Sequence, residues 1–154
     1  MSQVLSTQGR QAWVGFVRGH STLLRELNTQ LVHEHGLTVN DYEVLLRLAH
    51  APERAMRRVD LAESVLLTPS GITRLLDGLE RCGFVERAAC ATDRRVTYAV
   101  LTDAGMQKLE EARDSHLADV QRLFAGNFSD AELGTLGALL DRLSGDGPED
   151  DCEP

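Results

Sequence analysis

Apolar positions fall into helical periods at both ends of the chain and into a strand-like alternation between them. From Thr7 to His35, Trp13, Val17, His20, Leu24, Leu27 and Leu31 recur at alternating spacings of four and three, and Phe16 and Leu23 widen the stripe. This heptad-like seam predicts one long helix, stopped by Gly36. The seam is longer and narrower than a small solitary domain needs. It therefore predicts a helical interface with a second copy and a wall of any cavity beneath it.

Thr38-Val39-Asn40-Asp41 has capping-box form, a threonine with an acid three residues on. It predicts a second helix over Val39–Ala49, with Tyr42, Leu45, Leu46 and Ala49 inward and Pro52 ending it. Arg57-Arg58-Val59 reads as a short extended link. Asp60, again with an acid three residues on, predicts the cap of a short third helix over Leu61–Leu66. Thr68-Pro69 restarts the chain: threonine caps, and proline suits the first helical position, where its missing N–H costs nothing. The fourth helix runs to Arg81. Ile72, Leu75, Leu76 and Leu79 form its buried stripe, and Ser70, Thr73, Arg74 and Asp77 lie on the other side. Gly83 ends it.

Two strand-like runs follow, 84–88 and 96–101, with the polar bend Ala91-Thr92-Asp93-Arg94-Arg95 between them. Thr102 caps a fifth helix that carries Leu109, Ala112, His116, Val120, Leu123 and Phe124 toward a core. A further capping box, Ser129 to Glu132, opens a sixth helix with Leu133, Leu136, Leu140 and Leu143 inward. A short helix, a turn, a second helix with one polar face and an arginine-tipped hairpin make a winged helix-turn-helix, which places one helix in a DNA groove. The expected fold is mainly α with a small β-hairpin wing. A dimerisation helix would occupy 1–36, the winged module 37–101, C-terminal dimerisation helices 102–145 and an acidic, disordered tail 146–154.

Charge changes this picture only after it is resolved along the chain. The net charge of −8 argues against DNA as a partner, but residues 146–154 hold five acids and no bases. Between Pro52 and Tyr98 eight arginines stand against seven acids, a local charge of +1. Local sign, not the total, sets a nucleic-acid footprint. Of the 16 basic residues, 15 are arginine, whose planar fork matches phosphates and guanine edges; genomic base composition would give the same bias. Cys82, Cys90 and Cys152 are an odd number without a CxxC pair, which argues against a disulfide framework and for a reducing cytoplasm. No apolar run approaches the ~18–20 residues of a membrane span, and no signal-peptide pattern opens the chain. No P-loop, GxGxxG after a strand, GxSxG or HExxH occurs, so neither turnover, a catalytic residue, a cofactor nor a metal is expected.

Two ordered pieces resemble the multiple-antibiotic-resistance (MarR) regulators over roughly Gln11 to Ser144. One is Asp93-Arg94-Arg95 followed by Val96-Thr97-Tyr98-Ala99-Val100-Leu101-Thr102-Asp103-Ala104-Gly105, which fits that family's Asp-x-Arg, strand, Leu-Thr-x-x-Gly wing. The other is Leu61-Ala62-Glu63, then Thr68 to Leu75, then Leu79-Glu80-Arg81-Cys82-Gly83-Phe84-Val85. The resemblance implies a homodimeric, ligand-responsive regulator of double-stranded DNA, usually a repressor.

Residue roles follow from chemistry. Thr68, Ser70 and Thr73 are short and reach a phosphate or a base edge, and Arg74 suits a phosphate or a guanine. Asp77 is expected to orient Arg74 or Arg81 rather than touch DNA. Arg94 at the bend would enter the minor groove, where negative potential draws arginine. Arg95 would pair with Asp93 to stiffen the wing, or meet a phosphate; Arg57 and Arg58 are further phosphate candidates. Each of these residues could instead be part of a solvated face. Trp13, Phe16, His20, Tyr42 and Arg47 are candidates to line a pocket for a small phenolic or aromatic effector, though as core or interface residues they would need no ligand. Cys82 and Cys90 leave open a thiol-redox switch on the same scaffold. His33, Glu34 and His35, with His20 and His116, fit a metal site poorly, because two residues apart on a helix do not share a face. A winged module used only for protein contacts is a further alternative.

Overall fold

The computed structural model describes residues 5–144; the acidic tail expected at 146–154 and Cys152 lie outside the described residues. Six helices and three strands follow the order α1 (Thr7–His35), α2 (Val39–His50), β1 (Ala55–Arg57), α3 (Arg58–Ser64), α4 (Pro69–Arg81), β2 (Val85–Ala89), β3 (Thr97–Leu101), α5 (Asp103–Leu123) and α6 (Asp130–Ser144). The helix starts are where side-chain caps can satisfy the free N–H groups of the first turn. Thr38 and Asp41 complete a reciprocal capping box, and Thr68 and Thr102 accept from Gly71 and Gly105. At α6, Ser129 N–H donates to Glu132 Oε2 at 2.8 Å. Gly36 and Gly83 end α1 and α4 in left-handed conformation, φ +68° and +77°.

The third helix differs from expectation at both ends. It begins at Arg58, not after Asp60, and Arg57 occupies the cap position without a side-chain bond. The Asp60 carboxylate instead accepts from Arg57 Nε and Nη2 at 2.8 and 3.0 Å. The cause is β1: Arg57 is held extended opposite Tyr98, so the chain turns into the helix directly after it. α3 stops at Ser64 because the chain turns back, with Leu67 N–H donating to the Ala62 carbonyl at 2.9 Å and Leu66 left-handed at φ +55°.

β1 is the other departure, since the segment expected as a link pairs its first part into a sheet. The sheet has the order β1-β3-β2 and is antiparallel, with Met56 opposite Ala99 and Arg87 also opposite Ala99 on the far side. Three residues are too few to show alternation. They pair because they satisfy the N–H and C=O groups on the free edge of β3.

The core lies beneath the sheet and α4. Leu45, Leu48, Leu61 and Ile72 are fully buried, joined by Val85, Leu101, Leu109 and Ala112. Of α1, only Leu31 is buried among the described residues. Leu23 and Leu27 are half-buried, and the rest of the seam faces outward, with Trp13 at 61% exposure; Leu143 of α6, expected inward, is 72% exposed.

Candidate nucleic-acid interface

α4 presents its buried stripe, Ile72, Leu76 and Leu79, to the core, which fixes the opposite face toward solvent. Ser70 and Arg74 are exposed on that face, and Arg81 lies two turns on from Arg74. Thr68 caps the helix through Gly71 N–H at 3.1 Å and lies 3.3 Å, oxygen to oxygen, from Ser70. The positive end of the helix dipole adds to this cluster of short hydroxyls. Thr73 is more occupied: its hydroxyl donates to the Pro69 carbonyl at 2.9 Å and accepts from Arg58 Nη1 at 3.3 Å. Arg58 thus reaches α4 from α3, a bond no sequence period displays.

β2 and β3 carry the wing away from the sheet, and Ala89 opposite Thr97 is the last pair before the bend. Asp93 Oδ1 accepts from the Arg95 backbone N–H at 2.9 Å, and its carbonyl accepts from Val96 N–H at 3.1 Å. The expected stiffening by Asp93 is therefore made through the Arg95 amide, which leaves the Arg95 guanidinium exposed beside that of Arg94. Among the described residues, the guanidinium groups of Arg74, Arg81 and Arg94 hold no hydrogen bond or ion pair within the chain. Free cations on the outer face of α4 and at the wing tip are what a polyanion would meet.

Asp77 does not orient Arg74 or Arg81. It pairs with Arg87 of β2, whose Nε also lies 2.9 Å from Glu80 Oε2. Asp77 and Glu80 occupy one flank of α4, and only the tight turn at Gly83 brings β2 alongside them. Arg57 is likewise engaged, by Asp60.

The five expected pocket residues fall in three places. Phe16 and His20 stack with ring centroids 6.2 Å apart and line an open groove closed below by Leu123, Phe124, Leu136 and Leu140. Trp13 lines an adjoining groove with Leu139 and Leu143. Tyr42 is buried elsewhere, its ring 4.4 Å from that of His116, and Arg47 pairs with Glu43 at 2.9 Å on the same helix. Burial raises the Tyr42 hydroxyl above its ordinary value of 10.0.

His116, expected to point toward the core, is half-buried with its Nδ1 enclosed and without a hydrogen-bond partner. Burial pushes it below its ordinary value of 6.5, against the smaller opposing pulls of Asp119 and Glu43. The folded protein therefore binds fewer protons here than the unfolded chain as pH falls through 6.5, so stability declines on that side. We expect His116→Gln to remove this component. The stability of the variant relative to the parent should rise as pH falls from 7 to 5, read as urea midpoints; a difference independent of pH would contradict the assignment.

The thiols sit near the end of α4 and the base of the wing. Cys82 is exposed after α4, and Cys90 Sγ lies 3.3 Å from Thr92 Oγ1 at the wing base. Hydrogen bonds from Thr92 and from the Thr92 and Asp93 backbone hold the Cys90 thiol below its ordinary value. Among the described residues, no three His, Cys, Asp or Glu side chains come together as a metal cluster; His35 instead bonds Ser115 at 2.7 Å. No helix among the described residues is long and apolar enough to cross a membrane.

Comparisons with known proteins agree with this geometry. Residues 35–96 match the model of the MarR family. The chain is 30% identical over 126 residues to the HTH-type transcriptional regulator MhqR of Bacillus subtilis, covering 80% of this chain and 85% of that one. It is 34% identical over 113 residues to the HTH-type transcriptional repressor YetL of the same organism, covering 71% and 67%. The fold superposes on Sco3205 of Streptomyces coelicolor, a MarR family regulator solved in complex with DNA. The TM-score is 0.89 and the identity 25%, over 94% of this chain and 90% of that one. It also superposes on CouR of Rhodococcus jostii bound to p-coumaroyl-CoA, with TM-score 0.74 and 28% identity over 95% and 98%.

Proposed function

This chain belongs to the MarR family of winged-helix, DNA-binding transcriptional regulators, and from that premise we propose that it is a repressor. It would bind a pseudo-palindromic operator as a homodimer and respond to a small aromatic ligand. The observation that carries this reading is the pairing of two readers with unengaged arginines, the outer face of α4 and the wing tip. α4 would enter a major groove, where Thr68, Ser70, Thr73 and Arg74 meet phosphates and base edges. Arg94 would enter the adjacent minor groove and Arg95 a phosphate. The exposed apolar faces of α1 and α6 supply the surface for a second copy. A dimer spacing its two α4 helices ~34–36 Å apart would meet successive major grooves on one DNA face.

Repression is supported by the similarity to a named repressor, and ligand response by the similarity to a regulator solved with an aromatic acyl thioester. The groove beside Phe16 and His20 has the apolar walls such a ligand needs, and filling it would shift α1 against α6. The test is selection of bound duplexes from a random pool, repeated with a panel of aromatic carboxylates. A palindromic consensus lost in the presence of one acid supports the whole reading. No enrichment at low salt refutes DNA binding, and a consensus indifferent to every acid refutes the effector assignment.

Arg94→Ala should weaken operator binding and lower the magnitude of the slope of log affinity against log salt by about one. An unchanged slope would remove Arg94 from the contacts with the DNA backbone.

A further inference from the structure

Between the two readers lies an ion cluster that contacts neither solvent-facing arginine. Arg87 stands in β2, two residues before the strand runs into the wing, and directs Nη2 to Asp77 and Nε to Glu80 on the flank of α4. All three side chains are close to half-exposed, 47%, 42% and 42%, so the cluster is open to solvent on the flank of α4.

We infer that Arg87 is a positioning residue for DNA recognition, fastening the recognition helix to the wing strand so that both readers meet the duplex in one fixed relation. This rests on the DNA-binding reading above. Two features separate Arg87 from the arginines that would touch DNA. Its donors are already directed to two carboxylates, whereas Arg74 and Arg94 have no such bonds. Its charge is also outweighed locally, one guanidinium against two acids. A phosphate approaching this flank would meet no net attraction. The guanidinium adds a polar link on the solvent-facing flank of two elements that also share the core through Leu79 and Val85 and are joined by the Phe84 N–H bond to the Leu79 carbonyl. A rigid link of this kind is worth little to folding, because solvent screens half-exposed ion pairs and ordering two side chains offsets most of their attraction. Its value lies in simultaneous docking: base readout by α4 is gained only if the wing seats in the next groove at the same time.

The test is a salt titration of binding to a selected operator and to a random duplex of equal length. The proteins are the parent, Arg87→Ala, Arg87→Lys and the triple variant Arg87→Ala/Asp77→Asn/Glu80→Gln. In Arg87→Ala the ratio of operator to random-duplex affinity should fall roughly tenfold, with the salt slope unchanged and the thermal midpoint close to the parent's. The triple variant, which has lost the link but gained positive charge, should remain as undiscriminating. Arg87→Lys should fall between, since a compact ammonium cannot span both acids. A slope lowered by about one in Arg87→Ala would make Arg87 a phosphate ligand and overturn the inference. Recovery of discrimination in the triple variant would overturn it too, by showing that the acids needed only to be neutralised. An operator preference intact in Arg87→Ala overturns it outright. A parent protein that binds no duplex refutes the function itself, a result distinguishable from all of these.

Discussion

Replacing Gly105 with alanine is expected to destabilise the protein by about 3 kcal/mol or more. Gly105 is buried in the first turn of α5. A Cβ there would sit 2.6 Å from Leu101 Cδ1 and 3.0 Å from the Phe84 carbonyl carbon, and closer still to the Phe84 oxygen. The leucine can rotate away, but the carbonyl cannot. It is fixed because it accepts from Thr102 N–H at 3.1 Å, while the Thr102 hydroxyl donates to the Gly83 carbonyl at 2.6 Å. These bonds join the residues that enter the wing to those that leave it, so the added methyl would pry the wing from α5 as well as strain the core. A loss of this size is a large share of the ~5–15 kcal/mol that holds a domain folded, and should lower the thermal midpoint by roughly 10 °C. Gly78→Ala is the internal contrast. Its Cβ would meet only Arg81 Nη2, at 3.8 Å, and helix propensity should stabilise α4 by about 1 kcal/mol. A Gly105→Ala protein with the parent's midpoint would show that the α5–wing junction yields where the geometry says it cannot.

The second large effect concerns assembly. Trp13→Lys with Leu143→Lys should yield a monomer by sedimentation and cost about 10²–10⁴-fold in operator affinity. Both side chains line one apolar groove between α1 and α6 and are largely exposed in the single chain, so removing them takes little from the core. Lysine is the informative choice. Acidic replacements would also repel DNA and confound the reading, whereas lysines repel one another across a two-fold interface while favouring DNA electrostatically. A loss of affinity can then be ascribed only to the missing second module. A variant that remains a dimer would move the interface away from this groove. A monomer with the parent's affinity would dispose of the two-module requirement.

Much of this molecule was legible in its sequence because the signals that govern helices act over three or four residues. Thr38, Thr68, Thr102 and Ser129 mark helix starts by the hydrogen bonds their side chains make to the first turn, and Gly36 and Gly83 mark stops by their left-handed φ. The stripe Ile72-Leu76-Leu79 and the bend at Asp93-Arg94-Arg95 placed the polar face of α4 and the tip of the hairpin without a structure. Where local rules failed, a non-local bond had won. Asp60 resembled a cap, yet strand pairing between Arg57 and Tyr98 started the helix earlier. Asp77 was expected to bind a neighbour on its own helix, yet its partner comes from β2, ten residues on.

By itself, then, the chain's residue order determined the helices, the wing and the polar face of α4, since periodicity, capping and turn chemistry are short-range. Only the tertiary structure decided how the apolar stripes are used. The stripes of α2 and α4 close the core, whereas most of those of α1 and α6 remain uncovered. The same holds for Arg87, which side-chain charge alone would class with Arg74 and Arg94, and for Gly105, whose necessity depends on a carbonyl 21 residues away. Such pairings depend on the angle at which one element meets the next, a quantity set by packing of the whole core rather than by any residue's immediate neighbours.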